Sequence, residues 1–267
     1  MNTMKAIKIE LHQPTANYKI GQSFQYRETY PLPPYSTISG LTHHLAKFTT
    51  YHPMQISVQG NIGNKTSDLY TRYETNGSAG SDSDFYKINK KTKEKTPLKR
   101  QRWNLVLHDK NQTRKLALLR GIAHNELLTN INLTIHIVPE KQEDLKTIYN
   151  AFKSPFEFVS LGRREDLAEI KNVKLVDLHE KQLSKTYSSS QGAYIPATFI
   201  KTLSQQKAND FDNGTYFYLT TSYTPTKLKN KTYRKWQKTK AMYKESYKIN
   251  ANEQIIMDSD NTPVFLA

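Results

Sequence analysis

The chain has 267 residues, enough for one large domain or two small ones, and its 39 Lys and Arg against 24 Asp and Glu give a formal net charge of +15. Together with 17 Tyr, 10 Phe and 2 Trp, this charge favours a polyanionic partner, and nucleic acid above a membrane surface, because aromatic faces beside cations bind unpaired bases. The lack of cysteine excludes disulfides, thiol catalysis and Cys-type zinc sites, and the lack of a signal peptide or an apolar run near the roughly 20 residues that span a bilayer predicts a cytoplasmic protein.

The first part of the chain predicts a strand, a rigid loop and a helix. Residues 4–10 alternate apolar and charged side chains with a period of two, as a half-buried strand does. Three prolines within Tyr30–Gly40 predict an extended loop as far as Tyr35, where Ser36 or Thr37 could cap a helix. An apolar stripe at spacings of three and four then predicts about three helical turns, with Ile38, Leu41, Leu45 and Phe48 on one face.

The start of this helix is a candidate RNA-binding site, because the first N–H groups of a helix can bind a phosphate. An ordinary loop and N-cap would produce the same sequence pattern. Gly40 lies inside the helical pattern at a cost of about 1 kcal/mol against Ala, which predicts that another backbone passes close to it. The predicted RNA contacts here are Tyr26, Arg27, Tyr35, Ser36 and Thr37.

The adjacent histidines His43 and His44 are the best catalytic candidates, and they are also predicted RNA contacts. Consecutive helical residues point about 100° apart, so only one of the two can face a site. Metal-independent RNA cleavage needs a general base and acid, which a histidine with Tyr26 or Tyr35 could supply. A packing role is more frequent for a helical histidine beside an apolar stripe. We therefore expect no catalytic site and no cofactor.

A second strand and a long polar segment follow. Met54, Ile56 and Val58 repeat the period-two alternation. The segment from Asn64 to Arg102 is polar and lysine-rich, which predicts a long excursion from the sheet with little regular structure. Trp103–Leu107 predicts the returning strand. The candidate RNA contacts in this excursion are Lys90, Lys91, Lys99, Arg100 and Arg102.

The next part of the chain repeats the strand and helix pattern. Leu127–Val138 is the clearest period-two strand, a helix is predicted from Glu140 until Pro155, and Phe158–Leu161 predicts a further strand. The order β-α-β-β-α-β with an insertion predicts an α+β, ferredoxin-like (RRM-like) domain over residues 1–180. The four-stranded sheet of this fold is much used to bind RNA.

The residues Gly162, Arg163 and Arg164 follow the last of these predicted strands. Glycine allows close approach of a backbone, and two guanidinium groups could clamp a phosphate. Alternatively, the arginines pair with the neighbouring Glu165 and Asp166, and both interpretations can hold for different arginines. If the arginines bind phosphate, each Arg→Ala variant should remain folded while the double variant loses RNA binding.

Residues 181–267 predict a smaller, basic, β-rich C-terminal lobe. Tyr194–Ile200 and Thr215–Tyr223 are rich in aromatic and β-branched residues, which is typical of strands. Lys227–Lys248 is basic throughout and also carries aromatic residues. Such a run can be a solvated arm or a nucleic-acid contact, and the sequence leaves both open.

Three segments, Tyr30–Gly40, Glu126–Ile137 and Phe158–Leu167, resemble in this order the CRISPR-associated protein 5 family of type I systems. The resemblance covers about residues 4–178, and its details are similar to type I-B. It implies the repeat-associated RNA-binding superfamily, whose members contain ferredoxin-like domains. It also implies that the excursion, about residues 64–102, is a protruding hairpin called the thumb.

What the resemblance implies for function is a non-catalytic subunit of the Cascade surveillance complex. Such a subunit caps the 5′ handle of the crRNA, contacts the neighbouring backbone subunit and the large subunit, and could reach target DNA through the complex. In type I-C the family member itself cuts precursor RNA with Tyr, Lys and His residues, so the alternative is a metal-independent endoribonuclease acting on CRISPR repeat RNA. A general nucleic-acid-binding protein would fit the charge but leaves the ordered motifs unexplained.

Overall fold

A computed structural model describes residues 4–23, 26–76, 86–97, 103–109, 112–204, 213–229 and 231–267. The helices are α1 (Tyr35–Leu45), α2 (Asp144–Lys153) and α3 (Ala197–Ser204). The strands are β1 (Met4–Ala16), β2 (Tyr26–Arg27), β3 (Met54–Asn61), β4 (Asn64–Asn76), β5 (Tyr86–Ile88), β6 (Lys95–Pro97), β7 (Trp103–Asp109), β8 (Gln112–Pro139), β9 (Glu169–Gln182), β10 (Tyr187–Ser189), β11 (Gly192–Pro196), β12 (Thr215–Leu228), β13 (Lys231–Lys244), β14 (Tyr247–Ile249) and β15 (Gln254–Asp258).

One large sheet dominates this mixed α/β fold. Its strands follow the order β12-β13-β11-β3-β8-β1-β9-β15, and β2, β4 and β7 also pair with β8. β1 is antiparallel to both β8 and β9, and β3 is antiparallel to β8. α1 connects β1 to β3, and α2 connects β8 to β9. No helix among the described residues is long and apolar enough to cross a lipid bilayer.

The chain divides into two compact units. The first contains Met1–Ser23, Arg27–Thr66 and Glu126–Ala267, and the second contains Phe24–Tyr26 and Ser67–Asn125. The C-terminal strands lie in the first unit, because β11 pairs with β3 on one side and with β13 on the other. A Cβ on Gly60 of β3 would lie 2.6 Å from a backbone oxygen, so this part of the sheet requires glycine.

The predicted apolar stripes form the core of the first unit. β1 carries its apolar side chains on the face that packs under the helices, and each fully buried one stabilises the fold by about 1.5–3 kcal/mol. The helix stripe is confirmed, except that Phe48 lies beyond the end of α1 and is half-buried. The buried members of this core include Ile7, Ile9, Leu11, Ile38, Leu41, Leu45, Leu145, Ile148 and Phe152.

Three predicted elements are wrong in whole or in part. Of the predicted strand Tyr194–Ile200, only residues 194–196 are a strand, at the end of β11, and residues 197–200 begin α3. Phe158–Leu161 is not a strand but leads into a turn, in which Ser160 forms an isolated bridge with Leu167, and the strand beside β1 is β9. The start of the excursion is regular, since β4 covers Asn64–Asn76 and pairs with β8. Its polar side chains hide this strand from a search for alternating apolar residues, because the pairing comes from backbone hydrogen bonds.

A buried ion cluster joins both ends of the first unit. Lys8 of β1 and His136 of β8 contact the same Asp258 carboxylate oxygen of β15 at 2.8 and 2.9 Å, and all three side chains are almost fully buried. Burial alone would raise the pKa of Asp258, but hydrogen bonds from His136 and Lys8 lower it well below its usual range. Burial alone would lower the pKa of Lys8, but its bonds to Asp258 and Asp260 raise it overall.

We predict that Lys8→Met lowers the free energy of unfolding by about 3 kcal/mol, because it leaves a buried carboxylate without its cation. Because the pKa of Asp258 is depressed in the folded state, its contribution is present above the unfolded pKa of about 4 and is lost as the pH falls through the folded value. Urea denaturation at several pH values should therefore show the difference from the wild type shrinking below about pH 4. Lys5→Met, at an exposed position of the same strand, is the control, and equal losses in the two variants would contradict the prediction.

Candidate nucleic-acid interface

The proline-rich loop is held at Leu32 by Tyr194 of β11. The buried Tyr194 hydroxyl donates to the Leu32 carbonyl oxygen at 2.6 Å and accepts from the Leu32 N–H at 3.2 Å. Its ring meets the rings of Tyr35 and Phe217 edge-on, with centroids 6.0 and 6.4 Å away. Burial raises the pKa of Tyr194 far above its usual value, although the bond to Leu32 acts in the other direction, so the hydroxyl remains a donor. The loop, α1 and β12 are therefore joined at one side chain.

The start of α1 differs from the prediction. Pro34 is the N-cap residue, with φ −58° and ψ 153°, and no side chain caps the helix. The Ser36 hydroxyl bonds instead to the Thr220 hydroxyl of β12 at 2.5 Å, and the Thr37 N–H donates to the Pro34 carbonyl oxygen at 2.9 Å. The predicted cap is wrong because the helix begins at Tyr35, so Ser36 and Thr37 lie within its first turn and not at the N-cap position.

Two further residues of α1 have surroundings that the sequence did not predict. Tyr35 is 1% exposed, because its ring continues the apolar stripe of the helix, so its side chain is not available to RNA in this structure. Burial also raises the pKa of Tyr35. No described atom lies within 4 Å of a Cβ built on Gly40, so the predicted close approach of another backbone is wrong. Gly40 instead borders an open cleft between α1 and the β12–β13 hairpin.

Both nitrogens of His43 are used in local hydrogen bonds. The His52 backbone N–H donates to His43 Nε2 at 2.9 Å, so Nδ1 carries the proton and donates to the Ser39 carbonyl oxygen at 2.7 Å. Neither nitrogen is then free to act as a general base. His44 is exposed and bonds through Nε2 to Glu157, away from His43 on the helix surface. The structure therefore does not bring the two predicted histidines together with Tyr35 in one site.

Sequence reasoning missed a histidine and carboxylate pair between His52 and Asp144. His52 Nδ1 lies 2.8 Å from Asp144 Oδ2, and the Phe48 ring stacks on the imidazole with centroids 3.8 Å apart. The only sequence signal was a histidine beside a proline, with its partner 92 positions away. Among the described residues, no group of three or more His, Asp or Glu side chains could hold a metal ion.

The turn after Leu161 is built around the buried Asp166 carboxylate. Asp166 accepts hydrogen bonds from the Asn17 N–H at 3.0 Å and from the Arg163 N–H at 2.7 Å, while the Arg163 guanidinium binds it through Nη2 at 2.6 Å. Gly162 has φ 112°, and a Cβ there would lie 2.9 Å from the same carboxylate. The close approach predicted for Gly162 therefore exists, but it is to this protein's own side chain. Arg164 is exposed beside this turn.

The other predicted contacts lie in several places. Tyr26 is 40% exposed, with its ring 6.1 Å from that of His124 in the second unit, and Arg27 is half-buried in the first unit. Lys90 and Lys91 are exposed in the turn that joins β5 to β6. The remaining three cations, Lys99, Arg100 and Arg102, lie outside the described residues.

The β12–β13 hairpin is the most strongly basic element among the described residues of the first unit. The sequence from Thr215 to Lys244 contains no Asp or Glu. The Arg234 guanidinium lies 4.7 Å from the centroid of the Tyr223 ring, and the Lys240 ammonium lies 4.4 Å from that of Tyr216. Its exposed cations are Lys227, Lys229, Lys231, Arg234, Lys235, Lys238 and Lys240. The structure thus brings the basic C-terminal segment next to α1, which the sequence could not predict.

The pairing of Arg163 revises the expectation that each arginine can be removed without cost. We predict that Arg163→Ala lowers the free energy of unfolding by about 3 kcal/mol, because it leaves the buried Asp166 without its cation. Arg164→Ala, at the exposed neighbour, should change stability by less than about 0.5 kcal/mol. Urea denaturation measures both. Equal stabilities of the two variants would contradict this assignment, and only Arg164→Ala is a clean test of phosphate binding at this turn.

Comparison with known proteins gives one family match. Residues 6–230 match the family model described as CRISPR-associated protein (Cas_Cas5). Similar solved structures include a chain of a "CRISPR RNA-guided surveillance complex" (13% identity, TM-score 0.49, 92% of this chain and 91% of that one covered) and a CRISPR protein from Archaeoglobus fulgidus (8%, 0.41, 99% and 99%). Another is SMU1763c from Streptococcus mutans, described as functionally uncharacterized (11%, 0.28, 91% and 93%).

No curated protein matches the sequence. The family model spans most of the chain, from the first strand into the β12–β13 hairpin. The proline-rich loop and β12 therefore fall within the matched region, and β13 follows it. On this match, the chain belongs to the Cas5 family of CRISPR-associated proteins.

Proposed function

We propose that this protein is a non-catalytic subunit of a Cascade-type CRISPR surveillance complex and that it binds the 5′ handle of the crRNA. The observation that carries the proposal is the β12–β13 hairpin, whose exposed lysines and arginine have no acidic residue within the hairpin to pair with. Neutralising phosphates with such cations releases bound counterions and drives sequence-independent binding to RNA. Membership of the Cas5 family supports crRNA as the polyanion.

The arrangement of the elements supports a ferredoxin-like core as part of this proposal. β1-α1-β3 and β8-α2-β9 are two strand-helix-strand units, and their four strands lie side by side in the order β3-β8-β1-β9. The residues between β3 and the second half of β8 belong largely to the second compact unit. We assign this unit the role of the thumb, because it contains the exposed Lys90 and Lys91.

The proposed partners are the crRNA handle, the neighbouring backbone subunit and the large subunit, with target DNA reached through the complex. We propose a complex of type I-B, on the motifs that resemble that type, and a cytoplasmic site of action in a prokaryotic cell, where crRNA is transcribed. Co-purification from the host tests the whole assignment. The bound RNA should begin with one common handle sequence, and recovery of the protein without other subunits or RNA would contradict the proposal.

We predict that the second unit is needed for assembly and not for folding. Removing only residues 66–98 would take away β4, a partner of β8, so the better variant joins Thr66 to Glu126 by a short Gly-Ser link. Loop closure costs grow slowly with length, so this variant should melt near the wild-type temperature. Its log K for handle RNA should fall with log salt concentration, with a slope of about −0.7 per phosphate neutralised. In a pull-down with the backbone subunit, however, it should enter the complex poorly. Normal incorporation would show that the unit is dispensable.

The second candidate function is metal-independent cleavage of repeat RNA, and the His52–Asp144 pair is the observation that favours testing it. We predict no cleavage, because the Phe48 ring covers one face of His52 and both nitrogens of His43 are occupied. Incubation of purified protein with repeat RNA in EDTA measures this. Repeat-specific cutting that is lost in His52→Ala but retained in the exposed control His44→Ala would replace our proposal with the nuclease.

A further inference from the structure

A cleft of about 470 Å³ lies within the first unit, between α1 and the β12–β13 hairpin. Its volume is within the roughly 300–1,000 Å³ of small-ligand sites. Ser39, His43 and Tyr51 line one side, and Tyr223, Arg234 and Trp236 line the other. The two sides come from parts of the sequence almost 200 residues apart, and the Ser36–Thr220 hydrogen bond joins them at the edge of the cleft.

The first wall is a preformed aromatic surface. The rings of His43 and Tyr51 are nearly parallel, with centroids 5.5 Å apart and an angle of 4° between their planes. The hydrogen bonds of both His43 nitrogens fix the orientation of its ring. Tyr51 is 58% exposed, so this stack is accessible to a ligand. A planar ligand could extend the stack without any rearrangement of the protein.

The second wall combines aromatic rings with a cation. Tyr223 and Trp236 lie opposite each other in the hairpin, with ring centroids 5.2 Å apart, and the Arg234 guanidinium lies 4.7 Å from the Tyr223 centroid. Both rings are exposed by more than two-fifths, at 44% and 41%. Exposed aromatic rings beside a guanidinium are the chemistry that holds unpaired bases in single-stranded nucleic acid, through stacking and a nearby phosphate contact.

Charge distinguishes this cleft from a larger one of about 840 Å³ elsewhere in the same unit. The larger cleft is lined by Glu28, Glu126 and Glu245, and its Lys65 is already paired with Glu126 at 2.8 Å. A phosphate there would meet several carboxylates and no free lysine of the lining. None of the described residues that line the smaller cleft carries a carboxylate. Of these two clefts, the smaller one therefore favours an anionic ligand with a planar ring.

We propose that the cleft between α1 and the hairpin binds one unpaired nucleobase of a single-stranded nucleic acid. The base stacks against the exposed rings of Tyr51, Tyr223 or Trp236, and Arg234 contacts an adjacent phosphate. The lysines of the hairpin continue the phosphate path away from the cleft. This site adds base contact to the RNA binding of the proposed function, on which it rests, and it is tested separately from assembly into a complex.

The test uses the full-length protein and fluorescein-labelled octauridine, with binding followed by anisotropy. Tyr223→Ala and Trp236→Leu should each weaken binding about 5- to 100-fold, the range expected for the loss of one stacking ring. Tyr233→Ala is the matched control, because Tyr233 is a half-exposed tyrosine of the same hairpin whose side chain alternates to the other face of β13 from Arg234 and does not line the cleft. Trp236→Phe should retain most of the affinity.

Octathymidine is the second arm, and it distinguishes RNA from DNA as the source of the base. Affinity for either oligonucleotide that depends on Tyr223 and Trp236 supports the site. Wild-type affinity in both variants, or an equal loss in Tyr233→Ala, would overturn it.

Crosslinking of 4-thiouridine RNA to the wild-type protein covers the case of a variant that does not fold. Crosslinks at Tyr51, Tyr223 or Trp236 support the proposal, and crosslinks confined to other residues refute it. If the protein binds octauridine through the cleft but enters no complex, the nucleobase site is supported and the proposed function is contradicted.

Discussion

The hydrogen bonds between Tyr194 and Leu32 hold together the elements that form the candidate interface. A buried backbone N–H or C=O without a partner costs about 1–3 kcal/mol, and the loop around Leu32 has few amide donors because prolines surround it. Tyr194 satisfies both backbone groups of Leu32. It also lies in β11, the strand that joins β3 to β13. The same side chain therefore positions α1 on one side and the β12–β13 hairpin on the other.

The positive charge of this protein serves two different purposes. Lys8 and Arg163 each contact a buried carboxylate, Asp258 and Asp166 respectively. A cation in such a pair is part of the fold, because its removal leaves an uncompensated charge in a medium of low dielectric constant. Seven cations of the β12–β13 hairpin, from Lys227 to Lys240, are exposed and have no acidic residue beside them in the hairpin, so they remain available to a polyanion. The formal charge of +15 counts both kinds and does not separate them.

Exposed aromatic rings and exposed cations occur together on the hairpin, and they suit different parts of one ligand. Lysines hold phosphates through charge, which is screened by salt and carries no information about the bases. Tyr223 and Trp236 offer faces on which any base can stack, an interaction that salt screens much less. An RNA strand that follows the lysines and places one base in the cleft would use both kinds of surface.

The sequence by itself determined the local elements and predicts the chemical class of the partner. Prolines set the loop before α1, period-two and period-3.6 patterns set β1, β3, the second half of β8 and α2, and the excess of cations and aromatic rings indicated nucleic acid. These features are readable because each depends on residues close together in the chain. The ordered motifs also indicated the Cas5 family, which the family model confirms.

Only the tertiary structure decided which of these residues meet. Arg163 and Arg164 are equivalent in the sequence, yet one binds the buried Asp166 and the other is exposed, because the turn at Gly162 directs only the first inward. The sequence predicted Tyr35 as an RNA contact, but the Tyr35 side chain is buried because it lies on the apolar stripe of α1. The cleft between α1 and the hairpin depends on strand register and on pairing across almost the whole chain. Such pairing is set by the packing of distant segments, which no local pattern of side chains encodes.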